Sequence, residues 1–188
     1  KNRRSIMIFK SHRLIHFGFV LVTILIASSL LAQEMEDKVQ PEISQDSLLT
    51  LAHAIIDSSQ CRILITVDES GKPQARTMSV FPIEDNMVIW LGTSTRSRKV
   101  KQIKNNPNVM VYYYDTKGHS YVSIAGQARL VNDPEKKAHY WREGWTRYYP
   151  NPEKDYILIE VTPKRLEICS YKYKLFWDSK GQPAFIEF

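Results

Sequence analysis

The sequence predicts a mainly β domain of six or seven short antiparallel strands, closed into a barrel and accompanied by a few short helices. Between residues 61 and 171, short segments of alternating or continuous apolar residues are separated by Gly, Asn, Asp and Pro turn signals. The helical segments between them are too few and too short for the crossover connections that parallel strands require. An antiparallel barrel is therefore favoured over a parallel α/β sheet.

The first predicted element is a helix that begins near Ser44 or Asp46, since either side chain could cap it. Its apolar residues recur at helical spacing and share one face: Leu48, Leu51, Ala52, Ile55 and Ile56. Three predicted strands follow, at residues 62–67, 74–83 and 87–92. Turn-forming residues at 68–72 and 84–86 separate them.

The third strand leads into Thr93-Ser-Thr-Arg-Ser-Arg-Lys99 and then a short helix at 100–104. Hydroxyl groups, two arginines and a lysine are thus concentrated where first-turn N–H groups are unpaired and the helix dipole favours an anion. The pattern predicts a phosphate site, although a solvated basic turn explains it equally well. The sequence has no Walker motif and no Gly-x-Gly-x-x-Gly motif, so this is not one of the familiar nucleotide-binding loops.

The second half of the domain begins after Pro107, which ends that helix. Residues 121–130 alternate between apolar and polar types, with the period of a half-buried strand. Asn132 and Asp133 open a second outer helix, in which Ala138, Trp141 and Trp145 share a face. The other predicted strands lie at 109–114, 156–161 and 165–171, the last two joined by Thr162-Pro163.

The charge of +6 arises almost entirely from residues 1–32, which contain five basic and no acidic side chains. The remaining residues carry 21 basic and 20 acidic side chains, so no nucleic-acid interface is expected. The basic start, the apolar run at 17–27 and the small residues up to Ala32 predict a secretory signal peptide over 1–32. An uncleaved membrane anchor is the alternative. We expect an exported protein of a bacterial periplasm, with a linker at 33–43 and a single domain at 44–188.

The two cysteines, Cys61 and Cys169, leave the redox state open. An exported compartment permits a disulfide between them, whereas their apolar surroundings favour buried free thiols. The five histidines do not cluster, so no metal site is expected. No serine or cysteine has the neighbours of a catalytic nucleophile, and no catalytic residue is identified.

Four segments, in this order, resemble the FMN-binding split barrels of the pyridoxamine 5′-phosphate oxidase-like superfamily. They lie at residues 68–78, 93–109, 121–130, and 145–150 with 158–163. The last points to the general stress protein 26-like branch, and the resemblance covers about residues 48–178. It implies a Greek-key antiparallel split barrel and a homodimer with a flavin at each end of the subunit interface. FMN is the implied cofactor, while FAD and deazaflavins also occur in the superfamily.

The resemblance assigns cofactor contacts to nine residues in three predicted strands and the basic turn: Arg76, Thr77, Met78, Ser79, Gly92, Thr93, Arg98, Lys99 and Tyr121. Arg98 and Lys99 match the phosphate-binding Arg-Lys pair, and Thr93 matches a hydroxyl residue beside the phosphate. Residues 76–79 match the strand along the flavin ring and ribityl chain. Tyr121 matches a contact from the partner subunit. An exposed strand cation at Arg76 and a packed barrel aromatic at Tyr121 are the alternatives.

One departure from the oxidase concerns its Arg-x-His element, which holds the pyridoxal substrate. After Arg165 this sequence has no arginine and no histidine. We therefore expect a flavin-dependent oxidoreductase for an unknown small molecule, and not a pyridoxamine phosphate oxidase. The alternatives are a non-catalytic flavin-binding or stress-response module that stores or senses cofactor and, as a third option, a haem-handling protein. The aromatic residues Trp141, Trp145, Tyr148 and Tyr149 are either core and dimer packing or a wall over the flavin.

Overall fold

The computed structural model describes residues 43–79 and 81–188. The predicted leader at 1–32 and nearly all of the predicted linker at 33–43 lie outside the described residues. No helix within the described ranges is long and apolar enough to cross a membrane.

The strands of this part of the chain form one sheet in which every pairing is antiparallel. Its path runs β2-β1-β4-β5-β6-β3, with β7 added to β6. The bounds are Cys61–Val67 (β1), Pro73–Thr77 (β2), Ile89–Ser94 (β3), Asn108–Asp115 (β4), Ser120–Val131 (β5), Tyr156–Ser170 (β6) and Ala184–Glu187 (β7). The mainly β antiparallel prediction is confirmed. The β1–β2 hairpin lies at one edge, and the chain crosses to the other edge for β3 before it returns to β4.

Short helices accompany this sheet: Gln45–Ser58 (α1), Arg98–Asn105 (α2), Pro134–His139 (α3) and Pro152–Asp155 (α4), with a 3-10 turn at Trp145–Arg147. As predicted, Ser44 caps α1, since its Oγ accepts a hydrogen bond from the Ser47 N–H at 3.3 Å. The buried side chains of α1 are those of its predicted apolar face, apart from Leu51: Leu48, Ala52, Ile55 and Ile56.

The sheet is not closed, so the expectation of a closed barrel is corrected. Its path ends at β2 and β3, which do not pair with each other in the described part of the chain. The strand predicted at 74–83 ends at Thr77, and single backbone bonds follow: Met78 N–H to Arg62 O at 2.9 Å and Phe81 N–H to Trp90 O at 3.3 Å. Pro82 has no N–H to donate, which limits this segment to isolated bonds. The open sheet is consistent with a split barrel.

The two strands predicted at 156–161 and 165–171 are one continuous strand, β6. The register against β5 shifts between Ala125 and Gly126, where Gly126 pairs with Pro163. A β-carbon on Gly126 would overlap the carbonyl oxygen of Thr162, so the strands approach closely only because this residue is glycine. The bulge thus lets the pairing with β5 continue through Pro163, which was predicted to join two separate strands.

The predicted outer helix after Asn132 is shorter than expected. It ends at His139, and Trp145 begins a separate 3-10 turn after Gly144, whose φ is +82°. Glycine adopts this left-handed backbone readily and interrupts the helical repeat. Trp141 and Trp145 nevertheless contact the same rings, with their own centroids 6.0 Å apart.

These tryptophans belong to an aromatic cluster of seven rings, to which β3 contributes Trp90 and β6 contributes Tyr156: Phe81, Trp90, Tyr140, Trp141, Trp145, Tyr149 and Tyr156. Tyr148 does not belong to it, because this side chain is 61% exposed. Packing within one chain therefore accounts for Trp141, Trp145 and Tyr149, whereas a part for Tyr148 in dimer packing stays a prediction.

The sequence left open whether Cys61 and Cys169 form a disulfide, and the structure shows that they do not. Both thiols are free. Cys61 pairs with Tyr114, Tyr114 with Tyr121, and Tyr121 with Cys169. The cysteines therefore lie three strand spacings apart, about 14 Å along the sheet, which is beyond the reach of a disulfide.

Candidate functional site

Three cations, Arg76 from β2 and Arg98 and Lys99 from α2, converge beside the turn between β3 and α2. Arg76 reaches this helix, since its guanidinium donates a hydrogen bond to Gln102 Oε1 at 3.1 Å. The pKa of Lys99 is lowered first by burial and then by the charges of Arg76 and Arg98. The pKa of Arg76 is lowered first by burial and then by Arg98. The predicted basic turn thus gains a third cation from a distant strand.

Arg76 is held in place by a polar network under α2. Its guanidinium donates to Thr66 Oγ1 at 2.7 Å, to Gln102 Oε1 at 3.1 Å and to the Leu64 carbonyl at 3.3 Å. Thr66 also donates to Gln102 Oε1 at 2.7 Å, and both of these side chains are buried. The network fixes the position of the arginine but leaves its charge uncompensated.

Lys99 is oriented by the buried hydroxyl of Thr93. Its Nζ donates to Thr93 Oγ1 at 3.0 Å, and the same oxygen lies 3.3 Å from Ser97 Oγ. Ser97 occupies the N-cap position of α2 but makes no side-chain capping bond. The first turn of α2 therefore has no side-chain acceptor from its own cap, and the ammonium group has two further hydrogens to donate.

No carboxylate in the described ranges lies within 4 Å of the charged nitrogens of Arg76, Arg98 or Lys99. The neighbouring cations differ, since Arg96 pairs with Asp155 at 3.6 Å and Lys101 with Glu69 at 2.6 Å. An uncompensated group of cations beside a helix N-terminus is suited to a multiply charged anion such as a phosphate.

Gly92, the residue before Thr93, has a packing role in this structure. A β-carbon there would lie 2.7 Å from ring atoms of both Trp145 and Tyr156. The absence of a side chain lets β3 lie directly against the aromatic cluster. This contact fixes the position of β3 and therefore that of Thr93, which follows Gly92 near the end of the strand.

The segment at 76–79 connects the cations with the aromatic cluster. Thr77 and Ser79 are exposed and Met78 is half-buried. Ser79 Oγ accepts a hydrogen bond from Arg142 at 2.6 Å, and the Arg142 guanidinium lies 4.7 Å from the ring centroid of Phe81.

Three neighbours of the predicted site residues were not predicted from the sequence: Arg142, Thr66 and Gln102. A signal existed only for Gln102, which follows Lys99 by three positions and therefore lies on a nearby part of the α2 surface. Arg142 and Thr66 are far from the basic turn in sequence, so only the fold brings them near it.

Tyr121 does not join the cations within one chain. Arg76 pairs with Leu64 of β1, whereas Tyr121 lies in the row that contains Cys61. Residues three positions apart on a strand point to opposite faces, so Arg76 and Tyr121 face opposite sides of the sheet. Tyr121 stacks on Tyr112 with ring centroids 5.3 Å apart.

In the described part of the chain, no group of three His, Cys, Asp or Glu side chains is arranged to hold a metal ion.

Comparison with known proteins gives a consistent set of similarities. The profile of the "Pyridoxamine 5'-phosphate oxidase like" family matches residues 46–186. General stress protein 26 of Bacillus subtilis is 32% identical over 135 residues, which are 70% of this chain and 91% of that protein.

Solved structures agree. The crystal structure of General Stress Protein 26 from Bacillus anthracis has a TM-score of 0.60 at 27% identity, covering 75% of this chain and 98% of that one. A pyridoxamine 5′-phosphate oxidase-related, FMN binding protein from Nostoc punctiforme shares the fold, with a TM-score of 0.53 at 16% identity and coverage of 80% and 98%.

Proposed function

Since the chain belongs to the pyridoxamine 5′-phosphate oxidase like family, we propose that it binds FMN and acts as a flavin-dependent oxidoreductase on a small organic molecule. The observation that carries this proposal is the group of Arg76, Arg98 and Lys99, which lacks a carboxylate partner among the described residues. FMN ends in a phosphate, whose charge such a group would compensate.

Each part of the site has a role in this proposal. Arg98, Lys99 and the hydroxyl of Thr93 hold the phosphate, together with the first-turn N–H groups of α2. Arg76 adds its charge from the side of β2, and residues 76–79 lie along the rest of the cofactor. When bound, FMN supplies the electron-transfer chemistry, so the protein contributes position and electrostatics and needs no acid or base of its own.

Titration calorimetry with FMN, riboflavin and FAD tests the cofactor. We expect FMN to bind much more tightly than riboflavin, since riboflavin has the same ring but no phosphate. Equal binding of the two would remove the proposed role of the cations. If a deazaflavin bound more tightly than FMN, the proposed phosphate site would stand but the proposed cofactor would be wrong.

We propose a small-molecule substrate other than pyridoxamine phosphate, because the residues from 166 to 188 supply neither arginine nor histidine for its recognition. A non-catalytic flavin-binding module is the second candidate, favoured by the 32% identity to a protein named as a general stress protein. Anaerobic photoreduction of the bound flavin, followed by mixing with oxygen or quinones, separates the two. Reoxidation faster than that of free FMN supports an oxidoreductase, and an equal rate supports the binding module.

We further propose that the protein is a homodimer with the flavin at the interface. The face of β1, β4 and β5 that carries Tyr121 presents half-buried apolar side chains in register: Ile63, Ile65, Met110, Tyr112 and Ala125. A second copy would bury these groups. It would also bring the Tyr121 of each subunit towards the cations of the other, which the fold of one chain does not do.

A further inference from the structure

An open depression of about 610 Å³ lies between α3 and α4, lined by residues that the proposed flavin site does not use. Most of its wall is apolar or aromatic: Pro134, Ala138, Trp141, Pro152 and Tyr156. Trp141 and Tyr156 meet edge to face, with centroids 5.4 Å apart, so the wall is firmly packed. Its size and lining are typical of a pocket for a small molecule.

One charged residue of this pocket, Lys137, has only 9% of its surface exposed, and the contacts of its ammonium group are partly buried. Its Nζ donates to Asn132 Oδ1 and to the Glu153 carbonyl, each at 2.9 Å. Both acceptors are uncharged, whereas an ammonium has three hydrogens to donate. One hydrogen therefore has no protein acceptor among the described residues.

Among the described residues that line the pocket, Glu153 has the only acidic side chain. It is exposed, and it forms no ion pair with Lys137 within 4 Å. Burial lowers the pKa of Lys137, and the more distant charge of Glu153 only partly opposes that effect. A partly buried ammonium whose protein partners are all uncharged is a favourable place for an anion, which would complete its hydrogen bonds and compensate its charge.

We propose that this depression binds a small monocarboxylate with a flat apolar body. The carboxylate accepts the remaining hydrogen of Lys137, and the apolar body lies against Trp141 and Tyr156. Glu153 lines the same pocket and disfavours ligands that carry a second negative charge. Phosphate esters such as FMN are therefore poor ligands here, which separates this pocket from the cations beside α2.

Benzoate and its uncharged analogue benzamide are suitable probes, added to the flavin-loaded protein. Calorimetry measures affinity, and the indole N–H of Trp141, assigned with a Trp141→Phe variant, reports the location by NMR. We expect benzoate to bind roughly ten- to a hundredfold more tightly than benzamide, the range of one charge-assisted hydrogen bond. Lys137→Met should abolish that preference. Glu153→Gln retains the backbone carbonyl and should tighten benzoate binding.

The proposal is overturned if benzoate fails to bind at millimolar concentration, if benzamide binds equally well, or if the preference persists in Lys137→Met. Should Lys137→Met fail to fold, Glu153→Gln decides, since unchanged benzoate affinity in that variant also overturns the proposal. Neither residue contacts the proposed phosphate site, so the flavin spectrum should be unaltered in both variants. A result against this pocket thus leaves the FMN proposal intact.

Discussion

The three cations of the candidate site come from β2 and α2, and the fold holds their side chains in place to different degrees. Arg76 is fixed by three acceptors, Lys99 by the hydroxyl of Thr93, and Arg98 is exposed. Because the cations repel one another, their arrangement costs stability when no anion is present. The chemistry of the site is therefore most sensitive to changes in these side chains.

Replacing both Arg98 and Lys99 by alanine should weaken FMN binding strongly. Each charge-assisted bond to a phosphate contributes about 1.5–3 kcal/mol, so calorimetry should show a loss of several kcal/mol. Lys101→Ala is the matched control on the same helix, since Lys101 pairs with Glu69 and not with the cation group. The phosphate site is wrong if the double variant binds FMN as tightly as the control does.

The pKa of Lys99 provides a second test. It is lowered in the free protein by burial and by Arg76 and Arg98. A lysine whose pKa is lower in the folded than in the unfolded state opposes folding while charged, so its contribution to stability improves as the pH rises from the folded towards the unfolded pKa. A bound phosphate acts in the opposite direction, and we expect FMN to raise this pKa. NMR titration of the Lys99 side chain measures it, and an unchanged value would place the phosphate elsewhere.

Among the secondary-structure elements, β6 depends most on a contact between residues that are distant in sequence. It runs through Pro163 because the register of β5 shifts at Gly126, where the backbones approach too closely for a side chain. The strand thereby spans 15 residues and pairs with β5, β3 and β7. The bulge is thus central to the sheet.

Gly126→Ala should destabilise the protein, because its methyl group would overlap the Thr162 carbonyl, part of the backbone that cannot rotate away. We expect a loss of about 1–3 kcal/mol or more in the free energy of unfolding, measured by urea denaturation. Gln127→Ala is the control at the next position, where the side chain is exposed. Equal stability of the two variants would contradict the close approach.

For the molecule as a whole, two observations support the proposed dimer. Arg76 and Tyr121 face opposite sides of the sheet, and the face around Tyr121 is apolar and only half-buried. A second copy accounts for both observations, since it would cover the apolar face and add its own Tyr121 to the site.

Ile65→Lys combined with Met110→Lys should convert the proposed dimer into a monomer. The two positions are paired in register, and burying two uncompensated ammonium groups costs several kcal/mol, on the order of 3–5 for each. Light scattering measures the mass, with Lys117→Glu in an exposed turn as the control. A wild-type protein that is strictly monomeric with flavin bound would refute the dimer.

Pyridoxamine phosphate should not be converted to pyridoxal phosphate at the rate of a dedicated oxidase. The residues after Arg165 contain no arginine or histidine to hold that substrate, although the residues proposed to bind the flavin phosphate, Arg98 and Lys99, are present. The assay monitors pyridoxal phosphate formation by flavin-loaded protein, with oxygen supplied. Turnover typical of the dedicated oxidase would show that other residues recognise the substrate.

Local patterns in the sequence were enough to predict several features of this protein. Alternation of residue types predicted the antiparallel class, Ser44 and the apolar face predicted α1, and the order strand, basic turn, helix predicted the junction at Thr93 to Lys99. Each is encoded within a few consecutive residues, through side-chain periodicity and capping. Such signals do not depend on which strands become neighbours.

The folded structure alone established the features that depend on pairing between distant segments. It placed Arg76 beside Lys99, directed Tyr121 to the opposite face, separated the two cysteines, and carried β6 past Pro163. Strand register and sheet order arise from contacts between residues far apart in the chain, and a shift of one residue reverses the face of every side chain. The local sequence does not determine strand register or sheet order, whereas the packing of the whole sheet does.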